Sequence, residues 1–427
     1  MIETGATLTL DVEKPAAGGR MLARHGGQVV LVWGAIPGER VAARVDRVGK
    51  GVAYAETIDV LTPSGDRRPA AGDWRCGGNV YAHVGYERQR TLKGEILQDA
   101  LARIGRLPWP TRPDVVGSPE CGYRMRARLH VRNGSIGFFR EGTHDLCDAG
   151  ATGQLLPDTI EWLRRLAERV GTAGLAGIAS IELAENIPAN ERVCHLELEA
   201  GLDVNGLAAL SLDPALTGLT AACLLRPGAE RLAGVPTVTD VLRVSSETPP
   251  RAVRLRRDVR AFFQGNRFLL EALVRHVCAL VPEGPVVDLY AGVGLFGLSL
   301  AARGASDVTL VEGDSVSGAD LQQNAEPFGD RVRVRRSPVE EWLAAAPAAR
   351  VPAMIVDPPR TGMTRDAAIG IIRREPERLI YVSCDVATLA RDVRTFVDAG
   401  YELRGLTGFD LFPNTAHVES VALLVRA

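Results

Sequence analysis

A cysteine and a glutamate near the carboxyl end of the 427-residue chain have the chemistry of a nucleophile and a base. Cys384 follows an apolar run typical of a buried strand and precedes a helix predicted to begin near Val386. The positive N-terminal end of that helix would lower the thiol pKa and favour the thiolate. His417 and Glu419 follow downstream, and either side chain could take up a proton. Residues two apart in an extended segment share a face, so spacing leaves both candidate bases open.

A glycine turn earlier in the chain is typical of a nucleotide-cofactor site. Asp-Leu-Tyr-Ala-Gly-Val-Gly-Leu-Phe-Gly occupies residues 288–297, after a predicted strand and before a predicted helix. Gly292 and Gly294 let a cofactor approach the backbone beside Tyr290. Glu312 ends the next predicted strand, where an acid accepts hydrogen bonds from ribose hydroxyl groups. NAD-dependent oxidoreductases and methyltransferases share this pattern, so the turn predicts a nucleoside-bearing cofactor without choosing between the two classes.

An Asp-Pro-Pro-Arg-Thr-Gly sequence at residues 357–362 favours the methyltransferase class. It follows a predicted strand, so Asp357 would lie over the same crevice as the glycine turn. An NAD site predicts nothing special at this position. Loops of this type shape the cleft between methyl donor and acceptor base in many nucleic-acid methyltransferases.

The elements that hold these residues alternate between strand and helix after residue 255. Such alternation indicates βαβ units and a parallel sheet covered on both faces. Strands are predicted at 286–290, 308–312, 331–335, 353–357 and 379–383. Two further strands, at 401–407 and 419–426, have no helix between them and are predicted to pair antiparallel at one sheet edge. We therefore expect a doubly wound, Rossmann-like α/β domain over residues 255–427.

Two other regions are predicted before this domain. Residues 1–61 contain short alternating strands, which predict a small OB-like β-barrel. The strands of the barrel are predicted at 7–12, 29–33, 40–48 and 52–60. A linker rich in proline and glycine at 62–73 leads into a central α+β domain over 74–250. Amphipathic helices are predicted in that region at about 87–107 and at 158–170.

One predicted strand of the central region, at 123–131, has a basic face. Arg124, Arg126 and Arg128 alternate there with apolar residues, which is the period-two pattern of a half-buried strand. The arginines either contact phosphate groups or form an ordinary solvated face. The sequence leaves these alternatives equally open.

Composition sets limits on location and partners. A formal net charge of -2 argues against a general nucleic-acid coat. The chain has neither a targeting leader nor an apolar run of about 18 residues, so we expect a cytoplasmic protein with no membrane partner. We also expect a monomer. The seven cysteines fit a reducing compartment better than a disulfide framework, which predicts free thiols.

Taken together, the motifs resemble those of the RNA uracil-5 methyltransferase family, which makes 5-methyluridine in tRNA or rRNA. The matching segments are 288–294, 357–362, 383–385 and 412–419, with Asn414 in place of the usual glutamine. Phe-Phe-Gln-Gly-Asn at 262–266 is similar to a cofactor-contacting element of the family. The front barrel resembles a TRAM domain, an RNA-binding module, so the resemblance covers nearly the whole chain.

This resemblance implies a role for each matched residue. Cys384 would be the nucleophile and Glu419 the proton acceptor. The helix at about 87–107 would pack against the catalytic domain. The substrate would be a specific uridine in rRNA or tRNA, and the front barrel resembles the rRNA-acting members more. The expected contacts to S-adenosylmethionine come from Gln264, Tyr290, Gly292, Gly294, Glu312 and Asp357.

The resemblance breaks down at an iron–sulfur element that family members carry. Cys-Gly-Gly-Asn at 76–79 is similar to it, but Ala70 and Asn79 stand at two expected ligand positions. Cys76 and Cys147 remain, and two thiolates do not satisfy a cluster that needs four. We expect no iron–sulfur cluster and no other metal.

Three rival functions stay open. Cytosine-5 RNA methyltransferases usually carry a cysteine in the Asp-x-Pro loop, where this chain has Asp-Pro-Pro-Arg. An NAD-dependent oxidoreductase would use only the glycine turn. A catalytically silent RNA chaperone with the same fold would not need Cys384 and Glu419 together.

Overall fold

The structure is a computed structural model that describes residues 2–70, 72–132, 135–172, 178–198, 218–223, 230–345 and 350–427. These residues form a closed barrel, a central sheet, a two-stranded ribbon and a large mixed sheet with helices on both faces. The predicted fold class is confirmed. No helix in the described ranges is long and apolar enough to cross a membrane. The predicted limits of the three domains stay a prediction.

The barrel is built from the first strands of the chain. They are β1 (Thr7–Pro15), β2 (Met21–His25), β3 (Gln28–Trp33), β4 (Arg40–Gly49) and β5 (Val52–Thr62). They close in the order β1-β2-β3-β5-β4, and alternate side chains fill the interior. The sequence did not predict β2, because Met21, Leu22 and Ala23 are all buried and the run lacks a period-two pattern.

The strands of the central sheet follow the barrel in the chain and precede the main strands of the mixed sheet. Its strands are β7 (Arg126–Arg132), β8 (Ser135–Phe139), β9 (Leu146–Asp148), β10 (Ile178–Glu185), β11 (Arg192–Leu198), β12 (Gly218–Cys223) and β13 (Glu230–Gly234), in the order β13-β12-β11-β10-β7-β8-β9. Helix α2 (Pro157–Thr172) packs on one face, where Trp162 and Leu163 join Leu129 and Leu183 in a buried core. A 3-10 turn lies at Gly150–Thr152, and the ribbon of β14 (Thr237–Arg243) and β15 (Ala252–Asp258) follows.

The mixed sheet carries the motifs of the carboxyl half. Its main strands are β16 (Val286–Leu289), β17 (Val308–Glu312), β18 (Val332–Arg336), β19 (Ala353–Val356), β20 (Arg378–Ser383), β21 (Tyr401–Phe409) and β22 (Glu419–Arg426). The helices are α3 (Leu270–Leu280), α4 (Leu295–Arg303), α5 (Ser315–Ala325), α6 (Val339–Ala345), α7 (Arg365–Arg374) and α8 (Val386–Asp398), with a 3-10 turn at Glu326–Arg331. Apolar cores cover both faces, as a doubly wound sheet requires.

The order of the mixed sheet is β18-β17-β16-β19-β20-β22-β21-β6, where β6 is Val115–Val116. The predicted antiparallel pairing of the two closing strands is confirmed. Their predicted place at the sheet edge is wrong, because β6 pairs in parallel with the end of β21 at Gly408 and Phe409. A two-residue strand far away in the chain gives no periodic signal in the sequence.

The helix predicted at about 87–107 is α1 (Tyr86–Arg103). Near its start, Leu92 joins the core of the barrel. Near its end, Leu97 and Leu101 pack in the same apolar core as Leu389 and Val393 of α8. Helix α1 therefore contacts both the barrel and the mixed sheet.

A disulfide joins Cys76 and Cys147. The expectation of free thiols is wrong for these two residues, which are 71 positions apart in the chain. The loop at Cys76 lies against β8, where the Gly77 N–H donates to the Phe139 carbonyl at 2.9 Å. This contact brings the two cysteine Cα atoms to 5.9 Å, a separation that a disulfide spans. Only the folded sheet reveals the pairing.

Candidate active site

The chemically active residues meet at one edge of the mixed sheet. Strands β16, β19 and β20 are parallel neighbours, so the loops that follow them lie side by side. Those loops begin with Tyr290, Asp357 and Cys384. Strand β22 runs antiparallel to β20, with Ser420 opposite Ser383. Glu419 at the start of β22 therefore arrives next to Cys384, although the chain reaches the two from opposite directions.

The glycine turn after β16 has room above it. Tyr290, Gly292 and Gly294 have φ angles of 61°, 57° and 100°, in the left-handed region that glycine tolerates best. A Cβ atom on Gly292 would have no atom within 4 Å, so this residue borders open space. On Gly294 a Cβ would come within 2.4 Å of Leu298 Cδ1, so helix packing requires glycine there. The turn offers a cofactor a bare stretch of backbone.

Glu312 ends β17 beside this turn. Its carboxylate accepts the Gly292 N–H at 2.7 Å and the Asp314 N–H at 2.6 Å. Burial raises its pKa, while these hydrogen bonds lower it. The side chain is thereby oriented towards the space above the turn, as a ribose-binding acid would be.

Gln264 and Asp357 are brought together from separate motifs. The Gln264 amide donates to Asp357 Oδ2 at 3.3 Å. Burial raises the pKa of Asp357 to about 7, and the bond from Gln264 opposes that rise. Asn266 of the same motif is instead structural, since it is fully buried and donates to Ser118 Oγ at 2.9 Å.

Cys384 lies on the wall of a cavity of about 630 Å³. Burial raises its thiol pKa to about 11, and the negative charge of Glu419 adds to the rise. The predicted lowering of this pKa is therefore wrong. Helix α8 does begin at Val386, but Asp385 caps it and accepts the N–H groups of Ala387 and Thr388 at 3.0 and 2.8 Å. The capping carboxylate offsets the positive helix end that the prediction relied on.

Glu419 is a deeply buried acid beside the thiol. Its side chain is 2% exposed, and Oε1 has no hydrogen-bond partner among the described residues. Burial raises its pKa well above the usual value, the charge of Asp357 adds to this, and Arg360 opposes it. A carboxyl group in this state is a stronger base than an exposed one, in line with the predicted chemistry.

His417 borders the same cavity. Burial lowers its pKa to about 4, and the positive charge of Arg360 contributes. The imidazole is therefore neutral near pH 7 and can accept a proton or a hydrogen bond. The lowered pKa makes His417 a weaker base, whereas the raised pKa makes Glu419 a stronger one.

Arg360 is a site residue that lies within the Asp-Pro-Pro-Arg motif but was not among the predicted site residues. It borders the cavity and lowers the pKa values of both Cys384 and Glu419. A hydrogen bond fixes the loop that carries Arg360, because Asp392 Oδ2 accepts the Met363 N–H at 3.0 Å. The cation that directly follows Asp-Pro-Pro was the sequence signal that could have identified Arg360.

The three arginines of the basic strand have different environments. Arg124 and Arg128 both line the cavity, and Arg124 donates to Gln154 Oε1 at 2.6 Å. Arg126 pairs with Glu182 at 3.2 Å, and Arg128 pairs with Glu197. The predicted alternation with buried apolar residues is present, but carboxylates neutralise two of the three charges.

We expected no metal ion because the loop at Cys76 lacks two of the expected cysteine ligands. Among the residues that the structure describes, no three His, Cys, Asp or Glu side chains are grouped so that they could hold a metal ion. Cys76 and Cys147, which the family resemblance placed at two ligand positions, bond to each other instead.

Comparisons with known proteins agree with this geometry. Residues 235–427 match the tRNA (Uracil-5-)-methyltransferase family and residues 3–58 match the TRAM domain. A 23S rRNA (uracil(1939)-C(5))-methyltransferase of Acidithiobacillus ferrooxidans is 34% identical over 96% of this chain and 95% of that protein. An RNA methyltransferase of Streptomyces coelicolor, described as uncharacterized, is 32% identical over 99% of this chain and 93% of its own.

The fold comparison extends over the same length. The crystal structure of Pyrococcus abyssi tRNA (uracil-54, C5)-methyltransferase with S-adenosyl-L-homocysteine superposes with a TM-score of 0.76 at 24% identity, covering 97% of this chain and 99% of that one. The barrel, central sheet and mixed sheet are thus shared as a whole.

The fold and the relatives define a methyltransferase that acts on RNA. The chain belongs to the RNA uracil-5 methyltransferase family, with an N-terminal TRAM domain, and uses S-adenosylmethionine. The predictions of family, enzyme class and methyl donor are confirmed.

Proposed function

We propose that this enzyme methylates C5 of one specific uridine in 23S rRNA through a covalent bond between Cys384 and C6 of the base. Relatives from Acidithiobacillus ferrooxidans and Halomonas elongata, both 23S rRNA (uracil(1939)-C(5))-methyltransferases, support rRNA over tRNA. They are 34% and 32% identical over 96% and 97% of this chain.

The reaction needs both a nucleophile and a base. C5 of uracil is too weak a nucleophile to attack a methyl group directly. Addition of the Cys384 thiolate to C6 moves electron density onto C5 as an enolate. S-adenosylmethionine, when bound, supplies the electrophilic methyl group. Glu419 then accepts the proton that C5 loses, and the C6–S bond breaks to release the thiolate and the methylated base.

The pairing of β20 with β22 is the observation that carries this proposal. It sets Glu419 beside Cys384, which lines the cavity, and Glu419 Oε1 has no hydrogen-bond partner among the described residues. The raised pKa of Glu419 strengthens it as a base. Arg360 lowers the pKa of both groups and would favour the ionised forms that catalysis requires.

The residues of the sheet edge fit S-adenosylmethionine. Gly292 leaves open space over the turn, and Glu312 is held in reach of a ribose. The amide of Gln264 and the carboxyl group of Asp357 can serve the charged amino-acid part. We propose that Gln264, Tyr290, Gly292, Gly294, Glu312 and Asp357 hold the cofactor.

On the RNA side, we propose that the protein works as a monomer with three domains at 1–61, 74–250 and 255–427. Arg124 and the barrel residue Trp33 line the cavity that holds Cys384. A uridine in folded RNA must be unstacked and turned into this cavity before its C6 can reach the thiol. Arg124, Arg126 and Arg128 would contact the flanking phosphates.

A test joins substrate and mechanism. Mapping 5-methyluridine in 23S rRNA and tRNA from a strain lacking the gene should show one site lost from 23S rRNA. An RNA fragment around that site, carrying 5-fluorouridine, should become covalently attached to the enzyme, because a base cannot remove fluorine from C5 as it removes a proton and the C6–S bond then cannot break. Loss of a tRNA site instead would overturn the rRNA assignment, and absence of an adduct would overturn the covalent route.

A further inference from the structure

The segment 410–419, which carries both candidate bases, is anchored to helix α1. Lys93 and Asp410 form an ion pair in which both side chains are 0% exposed. Lys93 Nζ also donates to the Phe412 carbonyl at 3.0 Å. A residue more than 300 positions earlier in the chain thus fixes the start of this segment.

A second anchor lies one helical turn earlier. The Asn414 N–H donates to Gln89 Oε1, and Gln89 Nε2 donates to Asn414 Oδ1, both at 2.9 Å. Arg68 donates to the same Asn414 oxygen at 2.9 Å. Asn414 has a φ of 63°, a left-handed conformation that asparagine accepts more readily than most residues. The backbone turns there, three residues before His417.

These contacts come from the buried polar residues of the helix. The other buried residues of α1 are Gly94 and apolar ones such as Leu97 and Leu101. Burying a lysine and an aspartate requires full desolvation of both charges, and apolar pairs of similar size often stabilise a fold as well or better. A polar anchor is directional, because hydrogen bonds hold only at set distances and angles. It therefore restricts where the segment lies.

We propose that Gln89, Lys93 and Asn414 are positioning residues that hold Glu419 against the C5 proton of the bound uridine. This inference rests on the proposed function of Glu419 as proton acceptor. Proton removal comes after methyl transfer, so a displaced Glu419 delays only the release of Cys384. The methylated RNA then stays bound to the enzyme.

The first test replaces Asn414 in two ways. Asn414→Gly accepts the left-handed backbone but removes the side-chain oxygen, whereas Asn414→Asp keeps an oxygen for Gln89 and Arg68. We expect Asn414→Gly to lower kcat by about 100-fold, the typical effect of a displacement of about 1 Å, with little change in KM for RNA. Asn414→Asp should restore most of that loss. Glu87→Gln, at an exposed position on α1, is the matched control.

The deciding readout is the covalent adduct on a denaturing gel with labelled RNA and S-adenosylmethionine. Asn414→Gly should accumulate it, and Glu419→Gln is run in parallel. If Glu419→Gln traps RNA and Asn414→Gly does not, the positioning proposal is overturned while the base assignment stands. If Glu419→Gln turns over normally without trapping, the proposed function of Glu419 itself fails.

A second variant tests the same role without leaving a buried unpaired charge that could prevent folding. Lys93→Met with Asp410→Leu replaces the buried pair by apolar side chains and leaves no unpaired charge. We expect a folded protein by circular dichroism, a lower kcat and the same trapped adduct. A folded double variant with wild-type kcat would overturn the role of Lys93.

Discussion

Two sets of charged residues lie near the cavity in opposite arrangements: the acids next to Cys384 and the arginines of the basic strand. Asp357 and Glu419 are acids whose pKa values burial raises. On the central sheet, Arg126 and Arg128 each face a carboxylate, Glu182 or Glu197, nearer to solvent. Desolvation raises the pKa of an acid, whereas ion pairs with access to solvent keep their charges and contribute little energy.

The difference separates residues that carry out the reaction from residues that bind RNA. Substitutions in the cavity should change the rate of reaction and leave RNA affinity intact. Substitutions of the arginines on the basic strand should change RNA affinity and its salt dependence more than they change the rate of the chemical step.

The largest effect is expected for Cys384→Ala. Without the thiol no bond to C6 can form, so methyl transfer should fall below detection while RNA binding survives. Tritium transfer from labelled S-adenosylmethionine and filter binding would measure the two properties. Cys121→Ala, an exposed cysteine, is the control and should keep wild-type turnover. Turnover near the wild-type rate in Cys384→Ala would disprove the nucleophile assignment.

Glu419→Gln should reduce turnover by about 100- to 10,000-fold, the usual contribution of a general base. The variant should still add and methylate, and then hold RNA on Cys384. His417→Ala should slow the reaction without trapping RNA. A trapped adduct with the His417 variant alone would reverse the roles of the two residues.

The pH dependence should follow the thiol. Because the pKa of Cys384 is raised to about 11, the thiolate fraction increases about tenfold per pH unit below that value. The raised pKa of Glu419 acts in the same direction, since its ionised fraction also grows with pH. Single-turnover kcat/KM should therefore rise between pH 7 and 9, with circular dichroism to confirm folding. A plateau already at pH 7 would show that RNA or cofactor binding lowers the thiol pKa.

The smallest effect is expected for the triple variant Arg124→Ala, Arg126→Ala and Arg128→Ala. It should weaken RNA affinity and flatten its salt dependence. Loss of three full phosphate contacts would change the slope by about 0.9 per contact. We expect a smaller change, because two of the arginines are already paired with carboxylates. S-adenosylmethionine binding should not change. Glu182→Gln with Glu197→Gln should have the opposite effect and steepen the salt dependence. Equal slopes in all these proteins would return the strand to an ordinary solvated face.

Much of the sheet was predictable because its strands are short, apolar and separated by helices. Strand β17 matches its predicted bounds, and Glu312 stands at its end as expected. What the sequence could not show is pairing between distant segments. The neighbouring positions of Cys384 and Glu419 depend on the β20–β22 ladder, and the disulfide depends on a loop packed against β8. Neither contact has a local pattern.

The thiol pKa was mispredicted for a different reason. The helix start at Val386 was correct, but the sign of the shift depends on a sum of burial and neighbouring charges. Asp385 was visible in the sequence as a helix cap, and its effect on the helix end was not counted. The burial of Cys384 and the approach of Glu419 exist only in the folded protein.

The double attachment of α1 has a consequence for synthesis on the ribosome. Its apolar residues Leu97 and Leu101 pack against α8, which begins about 280 residues after α1 ends. At roughly 5–20 residues per second, that face waits roughly 15–60 seconds for its partner. During this interval the nascent chain exposes the apolar face of an amphipathic helix. The same delay means that the barrel can close early, while the catalytic half completes its core only when the last strands emerge.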